Sequence, residues 1–160
     1  MTHESIVLLF KDVAKSLADN VKFGYGAFED FNSIRSKSYP YVWVYPLKGS
    51  FPVGEAKLQS LVEWEVEIAF LDADNPRGAE KDTADTWDKS FDLMERFVHK
   101  LDEFLLNPDD INEIQTDRIS VTRTRFEAGR KATGDALSGW NLELDITTTS
   151  DFEYCSIYDD

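Results

Sequence analysis

Between residues 58 and 71 the sequence alternates with a period of two. Leu58, Ser60, Val62, Trp64, Val66, Ile68 and Phe70 hold one parity, while Lys57, Gln59, Glu63, Glu65 and Glu67 hold most of the other. Only an extended chain sends successive side chains to opposite sides. The segment therefore predicts a β-strand with one apolar and one acidic face. At roughly 3.3 Å per residue it would reach roughly 45 Å, beyond the usual five or six residues. It is expected to project past its own domain. The rest of the chain must cover the apolar parity and leave the glutamates outside.

Two amphipathic helices are available to do so. Ile6, Leu9, Phe10, Val13, Ala14 and Leu17 recur at three- and four-residue spacing, which predicts a helix over 4–19 with Thr2 as N-cap and Glu4, Lys11, Asp12 and Lys15 outside. Trp87, Phe91, Met94, Val98, Leu101 and Leu105 predict a second helix over 83–106. Asp82, Asp85 and Asp88 suit the positive end of its dipole, and Asn107-Pro108 stops it. Four further segments read as strands: Val21–Tyr25, the run Tyr41-Val42-Trp43-Val44-Tyr45 between Pro40 and Pro46, 116–127 and 140–149. In the last of these, Trp140, Leu142, Leu144 and Ile146 point inward, and Asn141, Glu143, Asp145 and Thr147 point outward. Gly129, Gly134 and Gly139 lie around the turn that makes the last two strands a hairpin. Residues 26–39 and 47–56 read as loops. The order α-β-β-β-α-β-β predicts an α+β fold: an antiparallel sheet of about five strands with long β-hairpins and two helices packed on one face. At 160 residues the chain makes one domain over 1–150, with a C-terminal extension at 151–160. The alternation continues weakly through Phe152, Tyr154 and Tyr158, so the extension can add to the sheet.

Cys155 is the only cysteine, so the fold cannot depend on an intrachain disulfide, and an intracellular birthplace fits best. No apolar run approaches the roughly 20 residues that span a bilayer, and 6–10 lacks the flanks of a signal peptide. The net charge of −14 argues against a general nucleic-acid-binding surface.

Motifs for chemistry are lacking. Phe-Gly-Tyr-Gly-Ala-Phe-Glu at 23–29 has Glu29 where a dinucleotide fingerprint needs its third glycine. Asp72-Ala-Asp74-Asn75 begins like a calcium loop, but Pro76 and Thr83 occupy ligand positions. His99 stands at helical spacing from Asp102 and Glu103, as in a solvated ion pair. With two histidines and one cysteine, no zinc-ligand spacing exists. Glu63, Glu65 and Glu67 form an exposed row, whereas a catalytic carboxylate pair needs one desolvated member. No enzyme, cofactor or metal site is expected.

The positive charge is concentrated. Residues 118–131 hold Arg118, Arg123, Arg125, Arg130 and Lys131 against Glu127, a local +4. Removing them from the 17 basic and 31 acidic residues leaves 12 and 30 elsewhere, or −18. Arg123 and Arg125 form a stripe complementary to Glu63, Glu65 and Glu67. Two arrangements use it: cross-strand ion pairs within one sheet, or a basic hairpin ending in Arg130 and Lys131 that docks on the acidic face of an identical neighbour. Unlike patches meeting head to tail close a ring when the rotation allows. Phe28, Phe31, Tyr39 and Phe51 fall in predicted loops, where aromatics either tuck onto the core or anchor a partner.

The order of elements over 4–149, with Tyr39-Pro40-Tyr41-Val42-Trp43-Val44 as the proline-bracketed short strand, resembles the tail terminator and tail-completion (neck) proteins of tailed bacteriophages. The resemblance implies a non-enzymatic α+β subunit, part of the virion and assembled in the host cytoplasm. Such subunits form a ring, commonly hexameric, at the end of the tail tube or at the head-tail connector. Its partners would be itself and other virion proteins, with no membrane. DNA would pass through the lumen without specific binding, since an acidic wall repels phosphate. The family has no signature site residues to carry over. The acidic end Tyr158-Asp159-Asp160 departs from its pattern. The alternatives are a generic protein-interaction module, an acidic DNA-mimic inhibitor, whose carboxylates the basic hairpin would interrupt, and a small-molecule enzyme or binding protein that its motifs do not reveal.

Overall fold

The computed structural model describes residues 3–34, 38–52, 61–73, 80–106, 119–131 and 137–149, the side chains of 80–83 and 129–131 excepted. Thr2, the expected strand start at 58–60, Arg118 and the extension 151–160 lie outside the described residues. The elements run α1 (His3–Leu17), β1 (Lys22–Tyr25), α2 (Phe28–Ser33), β2 (Tyr41–Val44), β3 (Lys48–Ser50), β4 (Leu61–Ala73), α3 (Glu80–Leu106), β5 (Ile119–Lys131) and β6 (Leu137–Thr149).

Together they form an α+β fold with a six-stranded sheet in the order β1-β2-β4-β6-β5, β3 also pairing with β4. Three features correct the expectation from sequence. The sheet is mixed, because β1 runs parallel to β2. Parallel neighbours need a crossover connection in place of a tight hairpin, and 26–39, expected to be a loop, carries α2 across it. The other expected loop, 47–56, contains β3, whose Lys48, Gly49 and Ser50 pair with Glu65, Trp64 and Glu63. Among the described residues there are therefore six strands and three helices.

β4 and β6 form the centre. They pair antiparallel from Leu61 opposite Thr149 to Ala73 opposite Leu137. This register puts Val66, Ile68 and Phe70 beside Leu144, Leu142 and Trp140 on one face. Helices α1 and α3 cover that face with Ile6, Phe10, Val13, Leu93, Phe97 and Leu101, all buried in one cluster with the strands. The Phe97 ring lies 6.0 Å from Phe10 and 5.3 Å from Phe70, tying both helices to the sheet.

The buried stripe of α3 is turned slightly from the one expected. Thr86, Ser90, Leu93, Phe97, Leu101 and Phe104 are buried, while Trp87, Phe91, Val98 and Leu105 flank them half-buried. Hydropathy passes over Thr86 and Ser90. Yet the Ser90 hydroxyl donates to the Thr86 carbonyl at 2.7 Å, so it satisfies itself inside the helix. Trp140 adds a tie by donating its indole N–H to the Trp87 carbonyl at 3.0 Å. Asp12, expected on the outer side of α1, is buried.

The opposite face carries a second, smaller core at one end. Phe31 of α2 is buried with Trp43, Ala69, Leu71 and Leu137. Its ring meets Tyr41 and Trp43 edge-on at 5.3 and 5.2 Å. Thus Phe28, Phe31 and Tyr39 tuck inward, whereas Phe51 is 70% exposed. Gly26 makes the turn into α2 with φ of 144°, a conformation that favours glycine. Asp30 then accepts the Ala27 N–H at 2.8 Å, capping the helix. Gly139 serves a different need: a Cβ there would sit 1.9 Å from the Phe70 carbonyl oxygen, so only glycine lets the central strands approach.

Phe97→Ala removes the ring shared by α1, α3 and β4 and is expected to cost about 3–5 kcal/mol in urea unfolding. Phe51→Ala should change stability by no more than about 0.5 kcal/mol. Equal effects would contradict this assignment of the core.

Candidate assembly interface

Beyond the second core, the face opposite α1 and α3 is covered by no described element. The register of the strands dictates its charges. On β4 the outward residues are Glu63, Glu65 and Glu67; on β6 they are Glu143, Asp145 and Thr147. Glu65 lies directly opposite Asp145, and Glu67 directly opposite Glu143. Like charges in these positions repel and weaken the pairing. Lys48 of β3 stands opposite Glu65 on the other side.

β5 supplies the positive charge through an irregularity. Ile119, Val121, Arg123 and Arg125 all share odd parity, so a regular strand would send the apolar pair and the arginines to the same face. A bulge between Val121 and Arg123 changes the phase. Ile119 is buried in the main core and Val121 packs against it. Arg123 and Arg125 turn to the charged face, opposite Asp145 and Glu143. The Thr122 hydroxyl holds the bulge by donating to the Asp145 carbonyl at 3.1 Å.

Both arginines engage acids of their own sheet. Arg123 Nε lies 3.3 Å from Asp145 Oδ2, and Arg125 Nη2 lies 2.9 Å from Glu143 Oε2. The arginine side chains remain 59% and 62% exposed, so these pairs contribute only about 0–1 kcal/mol each. The intrachain partners of the arginines are thus on β6, which separates them from Glu63, Glu65 and Glu67 on β4. Among the described residues, those three glutamates have no salt-bridge partner. Arg130 and Lys131 continue β5, their backbone opposite Ser138 and Leu137, while their side chains lie outside the described set. The expected His99 ion pair is not formed: on that helix Lys100 pairs with Glu103 and Arg96 with Asp92.

The result is a shallow trough of roughly 540 Å³ lined by Tyr45, Lys48, Glu65, Glu67, Arg123, Arg125, Glu143 and Asp145, among others. Burial pushes the Tyr45 phenol up to about 12, and the nearby Glu67 carboxylate adds to the effect. The Tyr45 N–H donates to the Glu67 carbonyl at 2.9 Å, fixing that corner.

β5 also ends the strand order, and among the described residues no strand pairs with its outer edge. Residues 122–128 are all exposed. Phe126 is 56% exposed even though it meets Phe91 and Trp140 edge-on at 5.7 and 5.8 Å. Long open edges of this kind are templates for further pairing. Sequence reasoning missed Phe126, Lys48 and Tyr45. The only available signal was the clash of parity between Val121 and Phe126.

No described helix is long and apolar enough to cross a membrane. Among the described residues, no group of three or more His, Cys, Asp or Glu is placed to hold a metal ion. Compared with known proteins, the sequence matches no family model and no curated protein.

In ultraviolet titration, the difference between the protein and its Tyr45→Phe variant should be an ionisation near pH 12, not pH 10. Glu67→Gln should lower it while leaving it above 10, since burial is the larger cause. Because the folded state holds this proton more tightly, the stabilisation is complete below pH 10 and disappears as pH rises toward 12. A Tyr45 step at pH 10 would contradict the buried placement.

Proposed function

We propose that this chain is a non-enzymatic structural subunit of a tailed-bacteriophage virion, forming a ring at the neck or tail end through head-to-tail contacts between copies. The observation that carries the proposal is the uncovered charged face, where Glu65 opposes Asp145 and Glu67 opposes Glu143. A sheet that only had to fold would gain by placing opposite charges there. Conflict between local rules and the global fold concentrates at functional sites. Arg123 and Arg125 already offset Asp145 and Glu143 in part, and a basic surface from a neighbour would serve Glu63, Glu65 and Glu67.

Further support comes from Arg123 and Arg125, which sit near the open edge with more than half of each side chain exposed. Their weak internal pairs can be shared with acids of another copy. Such complementarity sets register and encounter rate more than raw affinity. The basic hairpin continuing to Arg130 and Lys131 is the other half of this proposed contact. The element order on which the phage resemblance rests also supports the reading: an N-terminal helix, a short strand after Pro40, a long central strand, a helix across the sheet and a final hairpin. Lys48, Arg123 and Arg125 interrupt the acidic row, which weighs against a DNA mimic. The remaining acidic surface suits the wall of a DNA conduit.

The test is light scattering across protein and salt concentration. The full chain should show one closed oligomer at high concentration and low salt, and the oligomer should weaken as salt screens its contacts. The double variant Arg123→Glu/Arg125→Glu should raise the apparent dissociation constant at least about tenfold, or about 1.4 kcal/mol. A monomer at every concentration and salt, or an oligomer indifferent to the charge reversal, would refute the proposal.

A further inference from the structure

The outer edge of β5 has two unlike sides. Arg123 and Arg125 line one, and the half-exposed Phe126 stands on the other, against Phe91 and Trp140. A strand laid along this edge would fit best with acids facing the arginines and aromatics facing Phe126. One segment of this chain has that alternation. Asp151, Phe152, Glu153 and Tyr154 place two acids on odd parity and two aromatics on even parity. Residues 151–160 contain four acids and no basic residue, against Arg123, Arg125, Arg130, Lys131 and a single acid, Glu127, on β5.

We infer that residues 151–158 of a neighbouring copy add as an extra strand along the outer edge of β5. The reach of the chain favours a neighbour over the same copy. β6 is described as far as Thr149, with Thr148 opposite Ile119, the first described residue of β5. To reach the outer edge of its own β5, the chain must pass two strand spacings of roughly 4.8 Å, which uses about three residues. That puts Glu153 beside Ile119, still four residues or roughly 13 Å short of Arg123. A neighbour's segment has no such tether and can set both acids against both arginines. Main-chain hydrogen bonds would supply affinity, and the two-sided alternation would supply specificity. The inference rests on the ring reading insofar as it needs a second copy, and it names the contact that links one copy to the next.

Cys155, the only cysteine, provides the test. It shares parity with Glu153, so it would face the arginine side of the edge. If the added strand runs antiparallel to β5, Cys155 comes to Ser120; if parallel, to Glu127. Oxidative cross-linking of the full-length variants Ser120→Cys and Glu127→Cys should give disulfide-linked multimers with one of them. The yield should be at least about tenfold above that of Glu103→Cys, an exposed control on α3. Adding Arg123→Glu/Arg125→Glu should reduce the yield to the control level, and Asp151→Lys/Glu153→Lys in the same chain should restore it. Yields no higher than the control at both positions, or a disulfide closed within single chains, would overturn the inference. Light scattering on the full-length variant Asp151→Lys/Glu153→Lys separates this claim from the ring itself. Loss of the oligomer supports strand exchange. An unchanged oligomer overturns strand exchange and leaves the ring standing.

Discussion

The pairing of β4 with β6 governs both faces of this protein. One register, from Leu61 opposite Thr149 to Ala73 opposite Leu137, assembles Val66, Ile68 and Phe70 with Leu144, Leu142 and Trp140. The same register necessarily sets Glu65 beside Asp145 and Glu67 beside Glu143. A slip of one residue would turn every side chain to the wrong face, and burial of the apolar row outweighs the repulsion on the other side. A large aliphatic or aromatic side chain contributes about 1.5–3 kcal/mol when buried, whereas an exposed charge pair changes stability by less than about 1 kcal/mol. The core therefore sets the register, and on the charged face Arg123 and Arg125 offset the repulsion only in part, through exposed pairs with Asp145 and Glu143.

Two local devices shape that face. The bulge at Thr122 lets β5 contribute Ile119 and Val121 to the core, then present Arg123 and Arg125 on the opposite side. The small core of Phe31, Trp43 and Leu71 closes one end of the face, so the exposed charges gather at the other. Positive charge thus comes to lie beside negative charge near an open strand edge.

Much of the fold was legible in the sequence because its main elements are long and strictly periodic. The parity of Trp64, Val66, Ile68 and Phe70 identified β4 and its buried face, and Trp140 through Ile146 did the same for β6. The helical spacing in α1 and α3 was clear as well, although the exact buried stripe of α3 was hidden by Thr86 and Ser90. What escaped notice depends on partners distant in sequence. α2 is six residues long, and the ring contacts of Phe31 with Tyr41 and Trp43 hold it in place. β3 is Lys-Gly-Ser, a run with no strand propensity, positioned by pairing along β4 with Gly49 against the Trp64 ring. The charged stripes were visible, but the strand order was not. With β6 inserted between β4 and β5, the arginines find Asp145 and Glu143 as their intrachain partners, and the β4 glutamates remain without a described salt bridge.

Under the proposed function, the core face folds the chain while the charged face and the β5 edge join copies of it. Hydrogen–deuterium exchange, compared between dilute protein in high salt and concentrated protein in low salt, tests this most directly. Amides across 119–131 should exchange several-fold more slowly in the concentrated sample, while those of α3 keep the same rate in both. Identical exchange across 119–131 under the two conditions would contradict the account.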